Sequence, residues 1–378
     1  MIQDFLLDFN PLDHLLPWLI AAFIIAFFVS MSTFPAIFKI AEAKHLMDEP
    51  GERSTHSERT PTLGGVGIYI SLVVVITIIG GVLDTKILLL ILGSLTILFF
   101  LGLKDDLLIL SPRKKLIGQV LAAMVLIVFT DTRILGFSGL FGITILPYWL
   151  SVAFTMFVYL LIINAYNLID GVDGLAGTLA LLAASAFLFL SIKIDDVTMA
   201  TVAVSMIGAL IPFLRLNFSQ RKKIFMGDTG SMIIGFLIAF FAVRFISNTQ
   251  THSASVFFNC SPIVVLSIVF FPLLDTLRIF FIRLVVYRKS PFSADKNHLH
   301  HKFLDLGFNH LQTTSYIVIL NFMLIAFSYT LRDMDILHQL IILIITGIFL
   351  YSSLFIYNWI MIKNYLPQFI NSIKNYKL

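Results

Sequence analysis

Read as apolar and polar positions, the chain is a series of long apolar runs separated by short polar stretches. A helix crossing a bilayer needs about 20 apolar residues. Eleven runs approach or exceed that length, at about 17–38, 64–83, 86–103, 116–131, 148–164, 174–192, 197–214, 229–246, 262–284, 314–331 and 338–360. The ninth contains Pro272, which predicts a kink or break there. Between the fourth and fifth, residues 132–147 mix glycines with apolar and β-branched residues and read as a small surface hairpin. The pattern predicts an all-α polytopic membrane protein of about eleven transmembrane helices. It forms one integral membrane domain over 1–378, with a motif core at about 48–307 and the last two spans and tail in 314–378.

Composition agrees: 58% hydrophobic and 13% charged residues lie outside the range of soluble domains. Net charge is +4, with no basic run that would suggest nucleic acid as a partner. The single Cys260 forbids an internal disulfide and leaves the redox compartment open. No Lys or Arg precedes Lys39, whereas Asp4, Asp8 and Asp13 do. That is the reverse of a signal peptide, so the first span is expected to be retained.

Charge placement orients the chain. With the N-terminus outside, 21 of the 26 basic residues fall on the inner side, leaving Lys86, Arg133, Lys193, Arg244 and Arg332 outside. The positive-inside rule therefore predicts N-out, C-in, with the 132–147 hairpin extracytoplasmic. Arg244, well inside its span, is expected to snorkel to the outer surface. The polar stretches 42–62, 104–115, 164–174, 215–229 and 287–313 then share the inner side. Loops scattered at random would occupy both faces, so one cytoplasmic active site is expected.

The chemistry is densest in Asn164-Ala-Tyr-Asn-Leu-Ile-Asp-Gly-Val-Asp-Gly-Leu175. A charge in lipid or in a core is tolerated only when paired, hydrated or bound to a cation. On a helical turn Asn167, Asp170 and Asp173 would share one face. Such oxygen donors suit a hard cation such as magnesium, shared with a phosphate. Asp105 and Asp106 end the third span, where acids oppose the helix dipole unless a cation faces them. Lys104 and Arg113–Lys115 are the candidate partners, and a solvated helix terminus is the plainer alternative. Phe225-Met-Gly-Asp-Thr-Gly-Ser231 opens the eighth span and could offer free N–H groups to an anion, or use Asp228 only as an N-cap. Asp295-Lys-Asn-His-Leu-His-His-Lys302 suggests contacts to phosphate or sugar oxygens more than a zinc site, because no cysteine is near. Asp275 and Arg278 are spaced for an i, i+3 ion pair. Asp48 to His56, leading through Thr60-Pro61 to Gly64-Gly65, is chemically weak by itself.

Taken in order, D-x-P…GG, KDD, NxxNxxDGxDGL, FMGDTGS and HxHH resemble the polyprenyl-phosphate N-acetylhexosamine-1-phosphate transferases, from about Asp48 to Gly307. The resemblance implies transfer of a sugar-1-phosphate from a UDP-N-acetylhexosamine to undecaprenyl phosphate with release of UMP. It implies magnesium held by Asn167 and Asp228, with manganese as the alternative ion. Asp105 and Asp106 match an aspartate pair near the reacting phosphates, and Asp170 a catalytic acid. Lys115 matches a pyrophosphate contact, Asp173 and Phe225 positions around the uracil, and His298, His300 and His301 a loop over the nucleotide-sugar. His-Leu-His-His in place of three consecutive histidines, and Ile109 after Asp-Asp-Leu-Leu, are similar to the UDP-GlcNAc branch rather than to the transferase that accepts UDP-MurNAc-pentapeptide. The expected setting is the bacterial inner membrane, multi-pass, with a homodimer compatible. An ion-coupled transporter is the rival class, but its acids would lie near the bilayer midplane and not at span ends.

Overall fold

A computed structural model describes residues 11, 13–44, 47–48, 60–108, 110–251, 257–288, 298–353 and 355. The expected Asp48–His56 chemistry beyond Asp48, the segment Asp295–Asn297, Ile109 and the tail after 355 lie outside the described residues. The helices are α1 (Leu15–Ala43), α2 (Gly64–Ile79), α3 (Thr85–Leu108), α4 (Pro112–Thr130), α5 (Tyr148–Ile169), α6 (Leu175–Lys193) and α7 (Val197–Asn217). They continue as α8 (Gly227–Thr251), α9 (Ser261–Ile268), α10 (Phe270–Phe281), α11 (Leu299–Asp305), α12 (His310–Thr330) and α13 (Ile336–Ser353). Two dipeptides, β1 (Met47–Asp48) and β2 (Thr60–Pro61), pair antiparallel before α2.

The protein is an all-α polytopic membrane protein. Among the described residues eight helices are long and apolar enough to cross a membrane, and the bent pair α9–α10 makes a ninth. The two other expected spans are also helical: α2 has only 16 residues, and α4 opens on Arg113, Lys114 and Lys115. α8 is the axis of the bundle, buried without interruption from Thr229 to Val243. Outer helices such as α1 bury one stripe (Leu19, Ala22, Ala26, Ser30, Phe34, Ile37) and expose the rest to lipid. The N-terminus of α8 carries Asp228, so the most buried helix delivers one of the candidate site residues.

Three expectations are met in a form the structure makes specific. The ninth span breaks as Pro272 predicts, at Val269 with a 75° bend, one turn before the proline. Proline disrupts the carbonyl four residues earlier, here that of Ile268. Asn321 of α12 repairs the damage: its amide donates to Ile268 O at 3.0 Å, and its oxygen accepts the Phe271 N–H at 3.3 Å. Arg244 reaches the end of the bundle where α6 ends and α7 begins, and finds a carboxylate there. It forms an ion pair with Asp196, at 2.5 Å and 3.1 Å, and Asn248 adds a third donor at 2.9 Å. A half-buried arginine in an apolar span is held well by such a bidentate carboxylate. The 132–147 segment doubles back, with Leu146 N–H on Leu135 O at 2.8 Å, but it forms no strand ladder. Gln250 of α8 ties it down through Leu135 N–H and Gly136 O, both at 2.9 Å, in place of ladder bonds.

Candidate active site

Helices α3, α5 and α7 end, and α2, α4, α6, α8 and α12 begin, at one end of the bundle. Successive reversals therefore gather motifs that are far apart in sequence. Asp105 closes α3, is 4% exposed, and pairs with Lys115 Nζ at the start of α4. Lys115 also reaches Asp228 at 3.0 Å, so one ammonium bridges two carboxylates. The expected cation opposite the aspartate pair is Lys115.

Asp106 is held differently. Its Oδ1 accepts the Asp228 N–H at 2.7 Å, while Oδ2 accepts the Thr229 N–H at 3.1 Å and the Thr229 hydroxyl at 2.6 Å. A carboxylate at the end of one helix thus caps the positive end of another, which suits both its charge and the orphan N–H groups. Two expectations fall here. The Asp228 and Thr229 N–H groups in the first turn of α8 are taken by Asp106 and are not open to an anion, and Asp228 lies inside the helix and is not its cap. Gly227 makes this close seating feasible: its φ is +72°, and a Cβ there would lie 2.2 Å from Thr62 O and 2.9 Å from both Asp106 oxygens.

The Gly64-Gly65 pair is part of the same platform. Gly64 N–H bonds Phe225 O and Gly65 N–H bonds Met226 O, both at 2.9 Å, and Phe225 N–H returns to Pro61 O at 2.8 Å. A Cβ on Gly65 would sit 2.1 Å from Gly230 N. The pair has no chemistry of its own; it lets the 225–230 loop lie against α2.

Asn167 and Asp228, expected to share an ion, are in contact: the Asn167 amide donates to Asp228 Oδ1 and, at 2.9 Å, to Ser231 Oγ. Around them stand Asp105, Asp106, Asp170 and Asp173, and the lysines touching this acidic set among the described residues are Lys115 and Lys223. Excess carboxylate with hydroxyl and amide oxygens and no thiolate is the donor set of a hard divalent cation, so these residues fit magnesium.

Asn167, Asp170 and Asp173 do not share a helical face, because α5 stops at Ile169 and a turn follows. Asp173 instead pairs with Lys223 at 2.6 Å, its N–H donates to His310 Nδ1 at 3.1 Å, and its carbonyl accepts Thr314 Oγ1 at 2.9 Å. Lys223 also lies 5.2 Å from the Phe225 ring centre, so the two positions matched to a uracil share one lysine. Asn217 pins the turn by accepting the Gly174 N–H and donating to Ile224 O at 2.8 Å. Burial first, then the carboxylates of Asp228, Asp106 and Asp173, push the Asp170 carboxyl well above the usual carboxylate range.

The histidines form a second layer over this turn. His298 Nδ1 and His300 Nδ1 both meet Asp275 Oδ2, at 3.1 Å and 2.8 Å, and Asp275 Oδ1 accepts the Leu299 N–H at 2.5 Å. Asp275 therefore turns to the histidine loop and not, as its spacing suggested, to Arg278. Position 171 faces His300 Nε2 and His301 across van der Waals distances of 3.4–3.5 Å, measured to a Cβ built on Gly171. Burial, with His300 and His298 adding to it, lowers the His301 imidazole to about 4, so it is neutral at pH 7. Asp275, His298 and His300 offer ligand atoms within 4.8 Å of one another, yet each histidine already has a hydrogen-bond partner in the carboxylate.

Sequence reasoning missed Asn217, His310 and Thr229. The only signal for Asn217 was a lone amide at the end of an apolar run, and His310 stood apart from its three neighbours.

An acid-rich, cation-competent cluster at one end of an apolar helical bundle is the layout of a membrane enzyme acting on anionic substrates. The family profile for glycosyl transferase family 4 matches residues 88–246. A probable undecaprenyl-phosphate N-acetylglucosaminyl 1-phosphate transferase of Bacillus subtilis (strain 168) is 29% identical over 341 residues, covering 90% of this chain and 92% of that protein. An undecaprenyl-phosphate alpha-N-acetylglucosaminyl 1-phosphate transferase of Escherichia coli (strain K12) is 30% identical over 299 residues, covering 75% and 77%. A decaprenyl-phosphate N-acetylglucosaminephosphotransferase of Mycolicibacterium smegmatis (strain ATCC 700084 / mc(2)155) is 34% identical over 284 residues, covering 69% of each. The chain belongs to glycosyl transferase family 4.

Proposed function

We propose that the protein transfers N-acetylglucosamine 1-phosphate from UDP-N-acetylglucosamine to undecaprenyl phosphate, releasing UMP and starting a cell-envelope polysaccharide. One observation carries this reading: Asp105, Lys115, Asn167, Asp173, Phe225, Asp228 and His300, spread over some two hundred residues, converge at one end of the bundle. The names of the relatives support the donor sugar and the acceptor lipid. The 21-to-5 basic asymmetry supports a cytoplasmic site in the inner membrane, N-terminus out. A site at that interface reaches a water-soluble nucleotide and a lipid phosphate alike.

The lipid phosphate oxygen attacks the β-phosphorus of the UDP-sugar, the bond from that phosphorus to the bridging oxygen breaks, and UMP leaves with that oxygen. A phosphate monoester with its second pKa near about 6 is largely dianionic at neutral pH and needs no strong base. Asp105 orients it, and Lys115 offsets charge on the pyrophosphate. Asn167 and Asp228 would hold magnesium, which supplies charge neutralisation on phosphoryl oxygens. Lys223 and Asp173, beside the Phe225 ring, fix the nucleobase end.

The direct test incubates purified protein with a panel of UDP-amino sugars, Mg²⁺ and undecaprenyl phosphate. UMP should appear with UDP-N-acetylglucosamine and only when lipid is present. UMP release without lipid would refute the transfer. A two-step route through an aspartyl intermediate would exchange labelled UMP into UDP-sugar in delipidated enzyme; direct attack predicts none.

A further inference from the structure

Asp275 has no role in the reaction just described, yet it is fully buried and fully used. It sits in α10, the second half of the broken span, and its oxygens meet three groups of the histidine loop: His298 Nδ1, His300 Nδ1 and the Leu299 N–H. A buried carboxylate with these neighbours accepts Nδ1–H from the imidazoles. That choice of tautomer leaves Nε2 as the outward pole of each ring. His300 Nε2 is buried, has no hydrogen-bond partner, and faces Gly171, between Asp170 and Asp173. A buried imidazole nitrogen without a partner costs free energy unless something else fills the vacant bond.

We propose that Asp275 is a positioning residue for nucleotide-sugar binding: it orients His298 and His300 and leaves the Nε2 of His300 to hydrogen-bond the UDP-sugar. This rests on the reading that the histidine loop covers that substrate. It also ties the loop to α10, so the rigid bend that Asn321 supports sets where the imidazoles stand.

The experiment compares wild type with Asp275→Asn, Asp275→Glu and a His298→Ala/His300→Ala pair. The substrates are UDP-N-acetylglucosamine and undecaprenyl phosphate. Asp275→Asn should raise the KM for UDP-sugar about tenfold, the factor for one misplaced hydrogen bond, with kcat and the lipid KM within about twofold. Added to the histidine pair, it should change the UDP-sugar KM no further. Asp275→Glu should recover part of the loss and stands in if the asparagine variant does not accumulate. Spectra of ¹⁵N-histidine protein should give two Nδ1–H tautomers in the wild type that are lost in Asp275→Asn, a readout independent of turnover. An unchanged UDP-sugar KM, a full additive loss in the triple variant, or Nε2–H tautomers assigned to His298 and His300 through their single-alanine variants would each overturn the proposal. Wild type that releases no UMP while keeping Nδ1–H tautomers would sink the transferase reading instead, and the inferred UDP-sugar contact with it.

Discussion

Asp106 and Asp170 are both carboxylates of the same cluster, and burial raises both, Asp106 to about 6 and Asp170 well above the usual carboxylate range, but they differ in what holds them. Asp106 accepts two N–H groups and a hydroxyl at the start of α8, which offset part of its desolvation and satisfy the helix end. Asp106→Ala should therefore lower stability by about 1–2 kcal/mol, the range for a lost cap, seen as a lower Tm even without substrate or metal. Asp170 is pushed toward its neutral form by burial and then by its acidic neighbours. An acid whose folded pKa is raised keeps its proton where the unfolded chain has lost it, so it destabilises the fold above pH about 4, and the cost grows as pH rises. Asp170→Asn should match or exceed the wild-type Tm at pH 7, with the gain shrinking toward pH 4. Turnover should nonetheless drop by at least about tenfold, because a bound divalent cation, as proposed, would offset the repulsion and make the ionised carboxylate the working form. A Tm loss in Asp170→Asn would contradict that assignment.

At the scale of elements, the site depends on how helix ends are finished. The chain announces α12 plainly: Asn309 and Gln312 form a capping box, with Gln312 N–H on Asn309 Oδ1 at 2.8 Å. The α9–α10 break was legible from Pro272, but its exact place was not, because its repair comes from Asn321 some fifty residues away. Asn321→Leu should leave the Ile268 carbonyl and Phe271 N–H unpaired, costing about 1–3 kcal/mol in a Tm or denaturant assay. The same distance problem hid the partners of Asp275 and Arg244: local spacing offered Arg278 to the first where the fold supplied the histidine loop, and gave no sign of Asp196 for the second. By contrast Asn167, Asp228, Asp105 and Lys115 could be picked out in advance, because charged and amide groups at span ends have few apolar explanations.

For the whole molecule, the pattern of apolar runs was enough to read a helical membrane protein, and the grouping of polar stretches anticipated a single site. The bonds from α2, α3, α4, α5 and α8 at one end bear out the grouping. The proposal that this end faces the cytoplasm rests on the basic residues alone. In a background with Cys260 replaced by serine, Gln220→Cys and Asn309→Cys should resist an impermeant thiol reagent in intact cells and react after permeabilisation. Labelling of either in intact cells would separate it from a cytoplasmic site.

The seating of the 225–230 loop has a genetic consequence. Gly64, Gly65 and Gly102 leave no room for a side chain: added Cβ atoms would lie 2.5 Å, 2.1 Å and 2.4 Å from backbone atoms of Phe225, Gly230 and Thr229. None of these glycines has a side chain with which to bind a ligand or move a proton. In a saturation mutagenesis screen for growth that depends on the enzyme, alanine at Gly65 should nevertheless score like alanine at Asp228. The inactivating alleles would then trace a contour around the acids through residues that carry no functional group, a map of tolerance set by space rather than by chemistry.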